Sequence, residues 1–578
     1  MQNKGNTSVN KATFLFLTPL LLAPLAALHA QEPAAPEKAG DIKHYQYKYT
    51  TEQLREKFSA DQMQRAAAEL KEMQAVNDKG PWKADWASLD KHPLPEWYQD
   101  AKFGIAINWG LYSVPAWDNR QRGGNQYPDA YPTWMYHDPV HIAHQAETFG
   151  AGSQYDDFLR QFITDNYDPR KLAALIEDAG ARYILPFCKH HDGMAWWDSS
   201  WTRRSFVRMG PKQDLLTPLF KEARQRKLKI AAYCPLEEYA NVVLTGDGKL
   251  MFRDWNLAGT PVLMPLSDAN RHRVDGCIPV KDYFTQYMTP LVKELIDRFD
   301  IDMLWLDGNW SDPVEVTRGR ELAAYLYNRA AGRKDVCVND RLGMNTHAQH
   351  GDFPTSEFHT YQSFTKYWEE IRSISPSYAF NQDDDDPSSL TRAGLVHMLI
   401  DIVAKNGNLL LILGPDRTGK IPDLQIDRLQ ALGRWLKVNG EAVYATRILP
   451  PYVNGTVAYT RSKDWKYAYA ICKAWPGKTL KLSGMKAAPD AAIKMLGVDE
   501  PLAWKQDGQG LEITLPQKLQ DYYCRPCEHA WAIRIPLPSR ATACRAPSWP
   551  NTHASGGTAG SPDAAFWWPL PCSAAVLW

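Results

Sequence analysis

The feature that most constrains this chain is an alternation. Between Lys102 and Lys437 short apolar runs take turns with longer amphipathic stretches. The apolar runs cover 103–107, 183–188, 230–234, 303–306, 336–338 and 409–413. Stretches 169–179, 215–227 and 283–299 carry helical periodicity, and 422–437 is a further helix stopped by Asn439-Gly440. Strands that are apolar on both faces and separated by helices belong to a parallel sheet covered on both sides. The expected class is α/β, and over this length the natural closure is a (β/α)8-like TIM barrel, spanning 96–447. An open doubly wound sheet is the alternative, but no GxGxxG follows any of these runs.

The flanks read differently. Lys4 and Lys11 precede an uncharged apolar run from Phe14 to Leu28, and Ala30 is a plausible cleavage point, so 1–30 is expected to be a secretory signal peptide. The run is shorter than the about 20 residues a membrane span needs. The mature chain is therefore expected in the periplasm or secreted, with no membrane association. Residues 31–95 form a helical extension, with an amphipathic helix from Thr51 to Ala75. After Thr446 short β-prone runs at 457–460, 467–471, 480–482, 511–515 and 530–535 predict a C-terminal antiparallel β-sandwich over 448–538. Residues 539–578 lack periodicity and read as a disordered or aberrant tail.

Composition narrows the function. Lys and Arg total 66 and Asp and Glu total 66, so the formal net charge is zero. That excludes nucleic acid as the default partner, because phosphate neutralisation needs a basic surplus. The chain holds 22 Trp and 27 Tyr. Aromatic faces stack on the C–H faces of sugars, although large aromatic cores account for such a count equally well. Nine cysteines in an exported chain leave at least one unpaired. Cys188, Cys234 and Cys337 sit in strand-like runs as buried thiols, whereas Cys524 and Cys527 form a lone CxxC that suits a local disulfide better than zinc.

In a parallel barrel the reactive groups emerge just after each strand. Here those positions hold Asn108-Trp109, Lys189-His190-His191-Asp192-Gly193, Tyr233 with Glu237-Glu238, Trp305-Leu306-Asp307-Gly308, Asn339-Asp340-Arg341 and, after a short stretch containing Phe353, Glu357. Ordinary turns would offer scattered Gly, Asn, Asp and Ser instead. Asp307 and Glu357 are the sharpest pair, because glycosidic cleavage needs one carboxylate and one carboxylic acid facing each other across a sugar. His190 and His191 could bind a metal, as could His141, His144 and Glu147 on one helix face. No HExxH accompanies them, and neutral imidazoles suit sugar hydroxyls better. The Asp383–Asp386 run is expected to be a solvated loop.

These stretches together resemble glycoside hydrolase family 29, the retaining α-L-fucosidases. The resemblance is carried by WYQDAKFGIAINWGLY at 97–112, AGARYILPFCKHHDG at 179–193, WLDG at 305–308, VNDRLG at 338–343, GDFPTSEF at 351–358, DIVAKNGNLLLILGP at 401–415 and GRWLKVNGEAVYAT at 433–446, in the family's order. It implies a catalytic barrel followed by a β-sandwich. It also implies an Asp307 nucleophile, a Glu357 acid/base, and a pocket of Asn108, Trp109, Trp134, His190, His191, Tyr233, Trp305 and Arg341, with Arg341 near the acid/base. No cofactor is implied. The expected partner is a fucosylated oligosaccharide or glycoconjugate, and a homo-oligomer is compatible with this reading.

Two positions depart from the pattern. The family usually places His where Asn108 stands, and Glu where Thr133 stands before Trp134. Both usual residues contact sugar hydroxyls, so a related glycoside remains an alternative substrate, and a non-catalytic sugar-binding protein on the same scaffold an alternative function.

Overall fold

The structure is a computed structural model that describes residues 42–255, 261–308, 312–358 and 366–539. The expected signal segment and the tail from 540 lie outside the described residues.

Eight parallel strands make the central sheet: β1 (Phe103–Ile107), β2 (Tyr183–Pro186), β3 (Lys229–Pro235), β7 (Met303–Asp307), β8 (Cys337–Val338), β9 (Thr355–Glu357), β10 (Trp368–Ser373) and β11 (Gly407–Leu413), in the order β8-β7-β3-β2-β1-β11-β10-β9. A parallel bridge between Asn339 and Phe353, and the Asp352 N–H on the Val338 carbonyl at 3.0 Å, bring the two ends of that sheet together. The expected TIM-like barrel is therefore observed. Helices Pro169–Asp178, Leu216–Gln225, Thr289–Phe299, Gly319–Ala330, Arg392–Ala404 and Asp423–Asn439 wrap it. Their apolar stripes and the outward strand faces share one core that includes Leu172, Ile176, Leu219, Leu291, Leu322, Leu399 and Leu432.

Three elements escape sequence reading. β10 reads WEEIRS, and its two glutamates mask a buried strand, since Glu369 and Glu370 are 0% and 2% exposed. β9 has three residues. Between β3 and β7 the chain makes an antiparallel excursion of β4 (Ala240–Leu244), β5 (Leu250–Trp255) and β6 (Pro261–Pro265), which carries Trp255 to the barrel mouth.

The seam between β8 and β9 is built from side chains. The Asn339 carboxamide pairs with both backbone groups of Leu306, at 3.0 and 2.8 Å, and so extends the ladder to β7. Asp352 accepts the Val338 N–H at 2.8 Å, and Asp340 accepts both the N–H and the hydroxyl of Thr355. No helix lies between these two strands.

The N-terminal helix begins at a Thr50 capping box, passes through a π-turn at Arg55–Ser59 and continues as Ala60–Lys79. Ala66 and Met73 join the main core, and Lys293 reaches Glu69 and Glu72 at 2.6 and 3.1 Å.

The C-terminal domain stacks two antiparallel sheets. One has β12 (Thr446–Asn454), β13 (Val457–Ser462), β14 (Tyr467–Cys472), β19 (Trp531–Pro536) and β16 (Lys494–Met495). The other has β15 (Thr479–Ser483), β18 (Gly510–Thr514) and β17 (Ala503–Gln506). Tyr459, Ala470 and Ile533 from the first face Leu480, Leu511 and Ile513 from the second in one core, which makes the domain a sandwich. Cys524 and Cys527 are free thiols here rather than a disulfide, and Cys188, Cys234 and Cys337 are buried and unpaired. Among the described residues no helix is long and apolar enough to cross a membrane.

Candidate active site

Asp307 closes β7, where strand alternation turns Trp305 and Asp307 to the same inward face. Asp307 is 8% exposed, and its carboxylate is held from two sides. Tyr233, aligned by the β3–β7 pairing, donates its hydroxyl to Oδ2 at 2.7 Å, and Arg341 Nη1 donates to Oδ1 at 3.0 Å. Burial pushes the acid up, but Arg341, His191 and Tyr233 together outweigh it and hold Asp307 below the usual carboxylate range.

Glu357 ends β9 and is reached by the same nitrogen. Arg341 Nη1 stands 2.5 Å from Glu357 Oε1, while its Nε donates to Thr355 Oγ1 at 2.9 Å. The two carboxylate oxygens on Nη1 can lie no farther apart than those contacts laid end to end, short of the about 6.5–9.5 Å that an inverting pair needs for its water. The seam explains the VNDRLG stretch: Asn339 and Asp340 fasten the strands, so Arg341 is delivered between the two acids.

The KHHDG stretch after β2 is just as fully engaged. Lys189 pairs with Glu238 at 2.8 Å in a fully buried contact that Tyr287 and Asn241 complete at 2.6 and 2.7 Å. His191 Nδ1 lies 2.7 Å from the Glu237 carbonyl, and a carbonyl only accepts, so in the neutral ring Nδ1 carries the proton. Nε2 stands 3.8 Å from Asp307 Oδ2, where a proton on that nitrogen favours the ionised carboxylate. Burial lowers the His191 pKa against the opposing pull of Asp307. Asp192 accepts from Tyr155 at 2.9 Å, and Gly193 turns the chain at φ +78°.

His190 leads to a residue that sequence reasoning missed. Its Nε2 is 3.3 Å from Asp129 Oδ2, and Asn108 Nδ2 approaches the same oxygen at 3.4 Å. Asn108 also donates to the Tyr378 carbonyl at 3.0 Å and accepts from the Tyr112 hydroxyl. Asp129 Oδ1 and His190 Nδ1 are both buried without a hydrogen-bond partner. Asp129 lies on a short 3-10 turn, Pro128–Ala130, one helical turn ahead of Thr133. The Thr133 hydroxyl is occupied by the Trp255 carbonyl at 3.1 Å. The missing signal was spatial: nothing in the string YPDAYPTW says that its Asp faces the strand end holding Asn108.

Aromatic rings frame the mouth. Tyr239 and Trp255 lie 5.0 and 6.3 Å from the His191 ring, and Trp134 packs with Tyr239 and Ala130. Tyr127 and Phe358 flank Tyr378 at 5.6 and 5.4 Å. Trp305 is buried under Arg341, whose guanidinium is 4.9 Å from its ring. Trp109 is set apart from its expected place in the pocket. Its indole packs against Phe162, Tyr167 and Trp196 and donates to the Asp416 carbonyl at 2.7 Å, as a wall residue outside the carboxylate pair. His141, His144 and Glu147 do not converge. His141 pairs with Asp118 and Asp138, His144 stacks on Trp117, and Glu147 is exposed.

The comparisons with known proteins agree with this geometry. The family model for α-L-fucosidase matches residues 69–441, and the model for the α-L-fucosidase C-terminal domain matches 451–536. The tissue α-L-fucosidase of Rattus norvegicus is 30% identical over 463 residues, covering 78% of this chain and 92% of that protein. The human tissue enzyme is 30% identical over 462 residues, covering 78% and 91%. A solved structure of Thermotoga maritima α-fucosidase with a mechanism-based inhibitor aligns with a TM-score of 0.64 at 30% identity, over 78% of this chain and 99% of that one. With both of its domains matched in order, the chain belongs to the α-L-fucosidase family.

Proposed function

We propose that this protein is a retaining exo-glycosidase that releases terminal α-L-fucosyl residues by double displacement. The observation that carries the reading is the single Arg341 nitrogen shared by Asp307 and Glu357. One group must be ionised to attack, and Asp307 is the one held below its usual range. Glu357, with a side chain 30% exposed against 12% for Asp307, is the more open of the two, as suits the group that would exchange protons with the leaving oxygen and with water.

In the first step an Asp307 oxygen forms a bond to the anomeric carbon. The glycosidic C–O bond breaks, and Glu357 gives its proton to the departing oxygen. In the second step Glu357 takes a proton from water, whose oxygen attacks the anomeric carbon and frees Asp307. Two inversions leave net retention. Arg341 stabilises both carboxylates while they are negative, and Tyr233 orients the attacking one.

Asp129, His190 and His191 supply charged and polar edges for sugar hydroxyls, and the aromatic rim supplies apolar faces. The lead region at 1–30 supports export to the periplasm or beyond.

A panel of aryl glycosides tests the reading. Turnover of the α-L-fucoside above all other sugars is expected, with α-L-fucose as first product by NMR. Binding of fucose by calorimetry without turnover of any panel member would overturn it in favour of a sugar-binding protein.

A further inference from the structure

Beneath the paired carboxylates a third one is buried in the barrel interior. Glu369, on the inward face of β10, is 0% exposed, and donors from three other elements converge on it. Trp305 Nε1–H reaches Oε1 at 2.9 Å. The hydroxyls of Tyr183 and Tyr98 reach Oε2 at 2.6 and 3.2 Å. Among the described residues no Lys, Arg or His forms an ion pair with it. A carboxyl group placed there without a counter-ion is expensive, and its hydrogen bonds offset only part of that cost.

What it touches suggests why it is there. The Trp305 indole is the floor of the site: the Arg341 guanidinium lies 4.9 Å above its ring, and the Tyr233 ring lies 5.5 Å from it. Arg341 and Tyr233 are the two groups that donate hydrogen bonds to Asp307. An indole N–H donates only, so its orientation is fixed by wherever an acceptor stands.

We propose that Glu369 is a positioning residue for the glycosidase reaction: by anchoring the Trp305 indole it fixes the surface against which Arg341 and Tyr233 set the Asp307 carboxylate. The kinetic part of this inference rests on the fucosidase reading above; the anchoring itself does not.

Burial pushes the Glu369 carboxyl up to about 7, against the opposing effect of its three donors. The titratable groups facing it are Tyr98 from helix Glu96–Ala101, Tyr183 from β2, Cys337 from β8 and Asp340 after β8. Burial holds the tyrosines and Cys337 protonated across the neutral range. Protonating Glu369 turns a charge-assisted bond to Trp305 into a neutral one, which is weaker and longer.

Three variants of the full chain test this, with indole-15N-labelled protein. Trp305→Phe identifies the Trp305 indole signal by its loss. That signal is expected to move with pH around a midpoint of about 7 in the wild type and to stay fixed in Glu369→Gln. On aryl α-L-fucoside, wild-type kcat/KM should show an acidic limb near that pH. Glu369→Gln keeps an acceptor for the indole, so it should lack the limb while holding kcat within about threefold. Glu369→Met removes the acceptor and should lower kcat about tenfold or more at every pH. An indole signal indifferent to pH and to Glu369→Gln would overturn the proposal, as would a folded Glu369→Met with wild-type kcat. If Glu369→Met fails to fold, the Gln variant and the indole signal decide. A wild type without turnover whose indole signal still titrates would sink the fucosidase reading and support the anchoring.

Discussion

Tyr233 donates its hydroxyl to Asp307 at 2.7 Å, and burial together with that carboxylate holds the phenol protonated far above the ordinary tyrosine range. On the proposed mechanism the attacking carboxylate's lone pairs would thus be oriented before substrate arrives, by a donor that is itself buried. Asp307→Gly is expected to lose roughly 5 kcal/mol of transition-state stabilisation, on the order of 10^3–10^4 in kcat/KM. Azide should restore turnover and give the β-L-fucosyl azide. Full activity in this variant would remove Asp307 from the chemistry.

Glu357→Ala should behave differently with different leaving groups. A phenolate that leaves unaided needs little proton transfer, whereas a sugar alcohol needs it fully, so losses of about 10^2–10^4 are expected on oligosaccharides and less on activated aryl fucosides. The basic limb of the wild-type pH profile should vanish in the variant. Equal losses on both substrates would place the acid elsewhere.

Asp129→Asn probes the carboxylate that holds His190. It keeps the shape of the 3-10 turn but replaces a charged acceptor by an amide. An increase of about tenfold in KM, near 1.4 kcal/mol, is expected with kcat changed less, because the contact serves binding in ground and transition states alike. A panel of fucoside epimers would show reduced discrimination. An unchanged KM would confine Asp129 to the fold.

Lys189→Met tests a buried pair with no role assigned in the chemistry. The substitution leaves Glu238 charged, buried and served only by Tyr287 and Asn241. A loss of about 3–5 kcal/mol in unfolding free energy is expected from denaturant titration. A loss below about 1 kcal/mol would refute the stabilising role assigned to this pair.

Glu237 sets a pH dependence of stability. Burial raises its pKa to about 8, with Arg253 opposing. The unfolded chain releases that proton near its ordinary value of about 4.3, whereas the folded chain keeps it to about 8. Between those limits the native state binds more protons, so this contribution is full at the acid end and is lost as pH rises. Comparison with Glu237→Gln isolates it from other titrations. The stability of the wild type relative to this variant should fall between pH 5 and pH 8, and a constant difference would refute the assignment.

The barrel and the carboxylate pair were legible because both leave local marks. A doubly buried strand must be apolar throughout, and its reactive residue must follow at once, so FGIAI, YILP and MLWLD announce themselves. β10 hid because its buried Glu369 serves partners from β2 and β7 that no neighbour in sequence reveals. Asp129 hid for the same reason, since its partners Asn108 and His190 come from two other strand ends. Trp109 misled in the opposite direction: its place at a strand end suggested the pocket, but the large ring turns into the wall against Phe162 and Trp196. Thr133, read as a changed sugar contact, spends its hydroxyl on the backbone of Trp255.

The seam between β8 and β9 gives the two acids unequal footings. Asp307 ends a five-residue strand paired with β3 along its whole length and with β8 at Met303 and Leu304, while Glu357 ends a three-residue strand paired with β10 and tied through Thr355 to Asp340. On the proposed mechanism, the acid that would pass a proton twice per turnover, first toward a sugar and then from water, thus stands on the shorter strand. The acid that would set the trajectory of attack stands on the longer one.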